Sequence, residues 1–106
     1  MDAKIQARME ARARILKALA HPTRLFIVEE LSRGERPVAE LTRMVGLDMS
    51  TVSKHLSLLK GVGLIRDERR GVQIFYSLAT PCVLNFFGCL ESVLEARLQT
   101  QIELVG

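Results

Sequence analysis

Two groups of side chains in this sequence have types and spacings that suit chemistry. Hydroxyls, an amine and an imidazole crowd into Ser50-Thr51-Val52-Ser53-Lys54-His55-Leu56-Ser57, while two thiols, Cys82 and Cys89, stand seven residues apart nearer the C-terminus. The first group suits hydrogen bonding to nucleic acid, because short polar side chains approach a major-groove base edge without steric cost and a lysine adds a phosphate contact. The second suits a soft ion or thiol oxidation. No paired carboxylates, nucleophile-plus-base pair, phosphate loop or Cys-x-x-Cys accompanies them, so an enzyme is not expected.

The hydrogen-bonding group needs a helix to hold it, and the sequence predicts one over about 48–60. Asp48 is placed to cap its first turn, and Val52, Leu56 and Leu59 recur at i, i+4, i+7 to make one buried face. Ser50, Thr51, Ser53, Lys54, His55 and Ser57 remain on the other side. A merely solvated face favours Glu, Lys and Gln, whereas this one holds four Ser or Thr residues that weaken a helix, which points to a DNA recognition helix.

Its neighbours fit that role. A third helix, with Pro37 in its first turn and Val38, Leu41, Met44 and Val45 inward, is expected to stop at Gly46, giving helix, tight turn, helix. After Gly61 and Gly63, residues 64–78 read as two short strands about a turn at Gly71, with Ile74, Tyr76 and Leu78 inward. This hairpin is expected to be a wing whose Arg69, Arg70 and Gln73, with Arg66 behind them, reach a phosphate run or minor groove. The alternative is that its charges only keep an edge strand soluble, and Asp67 and Glu68 dilute the patch.

Outside this unit lie a charged first helix over 3–20 with a sparse apolar stripe and a second helix entered through His21-Pro22, ending at Ser32 before Gly34. His21 reads as a cap or a packed side chain rather than a ligand. The terminal helix, about 80–104, is the most apolar segment, carrying Phe86, Leu90, Val93, Leu94, Leu98 and Ile102 around its circumference. One small domain cannot bury it, so the terminal helices are expected to form a homodimer interface, which suits two-fold DNA sites. Cys82 and Cys89 fall on one face of this helix with an axial separation of about 10 Å, too far for a bridge within one helix. An antiparallel crossing of two copies would bring Cys82 of one near Cys89 of the other. The plainer reading makes both cysteines small apolar core residues. If they bind an ion, trivalent arsenic or antimony suits two thiolates better than zinc, for which His ligands are lacking.

Bulk properties are consistent with this. At 106 residues, with 48% hydrophobic and 25% charged residues, the chain is one globular domain over 1–106, mainly α with a small β-hairpin, needing no cofactor to fold. A net charge of +3 and a pI of about 9.2 favour polyanion partners without proving them. No apolar run reaches the roughly 18 residues that span a bilayer, and Asp2, Lys4, Arg8 and Glu10 are unlike a signal peptide, so a cytoplasmic protein is expected.

The element order, with Leu19-Ala20-His21-Pro22-Thr23-Arg24-Leu25, Ser50-Thr51-Val52-Ser53-Lys54-His55-Leu56 and Gly71-Val72-Gln73-Ile74-Phe75-Tyr76-Ser77-Leu78, resembles the ArsR/SmtB family of winged-helix metalloregulatory repressors over about residues 12–96. The resemblance implies a homodimer that represses its own operon from an imperfect palindrome in double-stranded DNA and leaves when an inducer binds. It carries Ser50, Ser53, Lys54 and His55 onto the recognition helix, whereas Arg69, Arg70 and Gln73 match the wing in position more than in identity. Arsenic-sensing members commonly place Cys-x-Cys in the third helix within Glu-Leu-Cys-Val-Cys-Asp-Leu; here Glu35-Arg36-Pro37-Val38-Ala39-Glu40-Leu41 puts Pro37 and Ala39 at the thiol positions. The zinc sensors' terminal-helix His and Asp ligands are missing too. Cys82 and Cys89 remain, similar to the variable terminal-helix cysteines of some branches. A thiol redox or persulfide response through the same pair, and a winged-helix protein-interaction module without DNA binding, are the alternatives.

Overall fold

In the computed structural model, which describes residues 1–105, helices α1 (Ala3–Leu19) and α2 (Pro22–Leu31) are followed by a short strand, β1 (Arg36–Pro37). Helices α3 (Val38–Val45) and α4 (Met49–Gly61) come next, then strands β2 (Ile65–Arg70) and β3 (Gln73–Leu78) and helix α5 (Val83–Val105). Gly106, the end of the expected domain, lies outside the described residues.

Local chemistry sets most boundaries. Asp2 caps α1 by accepting the Ile5 N–H at 2.9 Å, and His21 caps α2, its Nδ1 accepting the Thr23 N–H at 3.1 Å, with Pro22 supplying the preset φ of the first turn. Gly46, at φ 80°, closes α3 in the left-handed conformation that other residues resist, and its N–H bonds the Thr42 carbonyl at 3.0 Å. Gly71, at φ 64°, makes the two-residue turn of the hairpin, as a first central glycine does.

The core is built by α2, α3, α4 and the start of the wing. Ile27, Val28, Leu41, Val52, Leu56 and Leu59 are fully enclosed, and Leu64 and Ile65 carry the core into β2. The three strands are antiparallel in the order β1-β3-β2, with Arg36 opposite Tyr76 and Pro37 opposite Phe75. Two expectations change here. Pro37 does not open α3 but belongs to β1, an edge strand, where its missing N–H costs no ladder bond; and the hairpin is part of a three-stranded sheet. Two residues of strand are too short to announce themselves by alternation. Glu30, 7% exposed, sits between Arg33 and Arg36, and Arg36 also pairs with Glu40 at 2.7 Å, joining α2 to β1 and α3.

Helix α5 enters this core through buried Val83 and part-buried Phe87, then extends outward with Val93, Leu94, Leu98 and Ile102 each more than half exposed. Ile5, Met9 and Leu16 of α1 are exposed as well. Among the described residues no helix is long and apolar enough to cross a membrane. Truncating Leu41 to Ala is expected to lower stability by about 2–5 kcal/mol, read as a lower urea midpoint at unchanged m-value.

Candidate nucleic-acid interface

Burial of Val52, Leu56 and Leu59 fixes the rotation of α4 and so decides what it shows to a partner. Ser50, Lys54 and Ser57 are exposed, while Thr51, Ser53 and His55 are half-buried. The sequence treated these as one polar face, but the structure sorts them into three kinds.

Ser50 and Thr51 belong to the helix cap. The Asp48 carboxylate accepts from the Ser50 hydroxyl, from Thr51 Oγ1 at 2.6 Å and from the Thr51 N–H at 3.2 Å. These donors, the Ser50 hydroxyl foremost, hold the Asp48 carboxyl down at about 2. Both hydroxyl protons are therefore engaged, leaving only oxygen lone pairs to face outward. Ser53, Lys54 and Ser57 make no side-chain hydrogen bond to other described residues and are free to meet a groove.

His55 points elsewhere. Its Nδ1 lies 3.2 Å from Arg24 Nη1, and its ring centroid is 4.5 Å from that of His21. Burial, and then the neighbouring His21 and Arg24 charges, push its pKa down. The Nδ1 side of His55 is thus taken up by Arg24 where α4 packs against the α1–α2 junction, so any base contact falls to Nε2. Sequence separation hides the pairing, since Arg24 lies 31 residues upstream.

The wing divides in the same way. Strand register puts Ile65, Asp67 and Arg69 on one face of β2 and Arg66, Glu68 and Arg70 on the other. Lys60 of α4 pairs with Asp67 at 3.0 Å, so the Arg69 face adjoins the recognition helix. Arg69 Nε makes a long 3.4 Å contact with the Gly71 carbonyl at the tip, where Val72 is 96% exposed. Arg70 is tied down: it grips Glu35 with both terminal nitrogens, pairs with Glu68 at 3.0 Å and lies 4.6 Å over the Phe75 ring. Hydrogen bonds donated to Glu35 and then to Glu68 raise its pKa above the ordinary arginine value, and the first of these bonds lowers that of Glu35. Arg70 therefore braces the wing against the loop before β1 instead of extending toward a phosphate. Gln73, opposite it in register, is exposed. Glu35 and Arg24 were not singled out from sequence, and no periodicity marks either.

Cys82 and Cys89 are both free and exposed. Cys82 lies in the turn before α5, which starts at Val83, so only Cys89 is on the helix proper and the single-helix angle between them does not apply. Pro81 suits that turn, because its ring presets φ for the entry to the helix that follows, where its carbonyl accepts the Leu84 N–H at 3.1 Å. No three His, Cys, Asp or Glu side chains among the described residues gather at metal-ligand distance.

Known proteins match this arrangement over most of its length. A helix-turn-helix domain family model covers residues 19–68. The HTH-type transcriptional regulator YgaV of Escherichia coli (strain K12) is 39% identical over 92 residues, 86% of this chain and 93% of that protein. In fold, the chain matches the homodimeric winged helix-turn-helix DNA-binding domain of Mb0332 from Mycobacterium bovis, a possible ArsR-family transcriptional regulator. The TM-score is 0.80 at 31% identity, covering 94% of this chain and 93% of that one. The transcriptional repressor BigR from Xylella fastidiosa matches with TM-score 0.66 and 32% identity, covering 89% and 93%.

Lys54→Ala is expected to weaken binding to all DNA sequences alike and to reduce the slope of log affinity against log salt by about one. Ser53→Ala should instead cost about 1–3 kcal/mol on the specific site alone. Fluorescence anisotropy with specific and scrambled duplexes at two salt concentrations separates the two.

Proposed function

This chain belongs to the ArsR/SmtB family of winged helix-turn-helix transcriptional regulators, and from that premise we propose that it is a homodimeric repressor whose grip on operator DNA is released through Cys82 and Cys89. The observation that carries the DNA reading is the placement of exposed Lys54 and Ser57, with half-buried but unbonded Ser53, on α4 beside the Arg69 face of the wing. That juxtaposition suits a helix in the major groove with an arginine reaching the adjacent backbone or minor groove. Ser50 and Thr51 contribute through lone pairs, and Gln73 through the wing tip. The unpartnered apolar faces of α1 and α5 support a second copy as the occupant, as in the homodimeric Mb0332 domain, and a two-fold dimer reads a two-fold site. Repression follows the named activity of the BigR neighbour.

The release signal is assigned to the thiols because both are exposed and unbonded on the segment that carries the apolar face. Two thiolates from paired protomers suit a soft trivalent ion, arsenic or antimony. Among the described residues of one protomer no third His, Cys, Asp or Glu gathers with the thiols, which favours a second reading, in which a peroxide- or polysulfide-class oxidant takes two electrons and two protons from the pair to leave an intersubunit disulfide. Either event needs to shift the balance between DNA-binding and released states by only a few kcal/mol. The double variant Cys82→Ser, Cys89→Ser is expected to bind upstream DNA like the parent and to stay bound in arsenite, antimonite and peroxide. Release of the variant by any of these places the sensor elsewhere, and a non-reducing gel of the parent tells ion binding from disulfide formation. If the parent itself gives no salt-dependent shift of DNA, a winged-helix protein-interaction module replaces the repressor.

A further inference from the structure

Three elements meet at the Arg24 guanidinium. Its Nε donates to the Ala18 carbonyl and its Nη2 to the Lys17 carbonyl at 3.3 Å, which also accepts the Ala20 N–H at 3.3 Å, so a side chain of α2 ties down the last turn of α1. The remaining nitrogen, Nη1, lies 3.2 Å from His55 Nδ1 on α4. Guanidinium has only donors, so His55 Nδ1 supplies the lone pair and the imidazole proton sits on Nε2. His21 is held in the same sense: its Nδ1 accepts the Thr23 N–H, and its ring lies 4.5 Å from that of His55.

We propose that Arg24 and His55 form a positioning joint that fixes the recognition helix to the last turn of α1, and that the joint holds only while the His55 imidazole is uncharged, so that acid weakens operator binding. Protonation at Nδ1 removes the acceptor and sets a cation against a guanidinium that is already pinned by two carbonyls. The surroundings cannot neutralise it. Arg14 and Lys17 of α1 share a shallow recess with Arg24, Leu58 and Val62; His21 faces His55 from the α1–α2 junction, and Lys54 adjoins it on α4. None of these groups pairs with a carboxylate among the described residues. Burial and the same neighbours disfavour the charged ring, so the folded pKa lies below the unfolded one. The joint is therefore fully stable above an unfolded value of about 6.5 and loosens as pH falls from there toward the folded value.

The joint rests on the repressor reading, because α1 carries part of the apolar face assigned to the dimer and α4 carries the groove contacts. A break between them lets the reading helix shift relative to the two-fold axis. The direction of the effect is diagnostic. An imidazole facing phosphates would gain affinity on protonation, whereas one holding Arg24 loses it.

The test measures anisotropy of the protein with upstream DNA at about pH 7.5 and about pH 5.5 and constant ionic strength. Three proteins are compared: the parent, His55→Asn, whose side-chain oxygen replaces the Nδ1 acceptor without titrating, and His21→Asn, which keeps a cap acceptor. Parent affinity is expected to fall about ten-fold on acidification, and that of His21→Asn likewise; His55→Asn should hold neutral-pH affinity within about three-fold and stay flat. Affinity that rises with acid, or a His55→Asn variant that keeps the fall, overturns the joint. Imidazole nitrogen NMR of the DNA-free protein reads the joint separately: His55 Nδ1 is expected unprotonated at neutral pH, with its protonation moving the Arg24 and Ala18 signals. A protonated Nδ1 at neutral pH overturns the joint whatever the DNA result, and absence of DNA binding with the expected spectrum overturns only the repressor reading.

Discussion

The seating of Val52, Leu56 and Leu59 against α2 and α3 is the constraint on which the rest depends. Each side chain is completely enclosed, and each is worth about 1.5–3 kcal/mol in water excluded, so α4 cannot roll without exposing all three. A helix fixed in rotation presents the same outer residues in every molecule. Ser53, Lys54 and Ser57 therefore owe their availability to aliphatic neighbours that never touch a partner.

Polar groups around this seat compete for one another before any ligand arrives. Asp48 takes the hydroxyls of Ser50 and Thr51, Glu35 takes Arg70, and Arg24 takes His55. Each pairing removes a donor or acceptor from the surface and converts it into stiffness at a place that matters: the start of the recognition helix, the tip end of the wing and the junction with α1. The positive charge is displaced as well. Helix α1 carries five cations against the single Glu10, more than the net excess of the whole chain, so the basic balance is not concentrated on the wing.

Apolar surface is also divided by the tertiary arrangement. The central helices and β2 close their own core, while α5 contributes little beyond Val83 and Phe87 and leaves its remaining aliphatics outside. A helix of 23 residues with its outer two-thirds uncovered leaves an apolar face that the chain's own core does not cover.

Much of this was legible in the residues. The i, i+4, i+7 aliphatics of α4, the Asp48 cap and the Gly46 and Gly71 turns are local signals, because period and backbone conformation are properties of a few neighbouring residues. The expected alternation of Ile74, Tyr76 and Leu78 against Phe75 and Ser77 is not seen, since all five are half-buried in a strand flanked on both sides by β1 and β2. The unpartnered terminal helix was also visible, as more apolar residues than one small core can cover. What the sequence could not supply was the partner of each charged or polar side chain. Arg70 with Glu35 and His55 with Arg24 are joined across more than thirty residues, and β1 exists only because β3 runs beside it. Such pairings depend on how elements pack, and hydrogen bonds follow from distance in space, so only the folded chain decided which polar residues face outward and which hold the structure together.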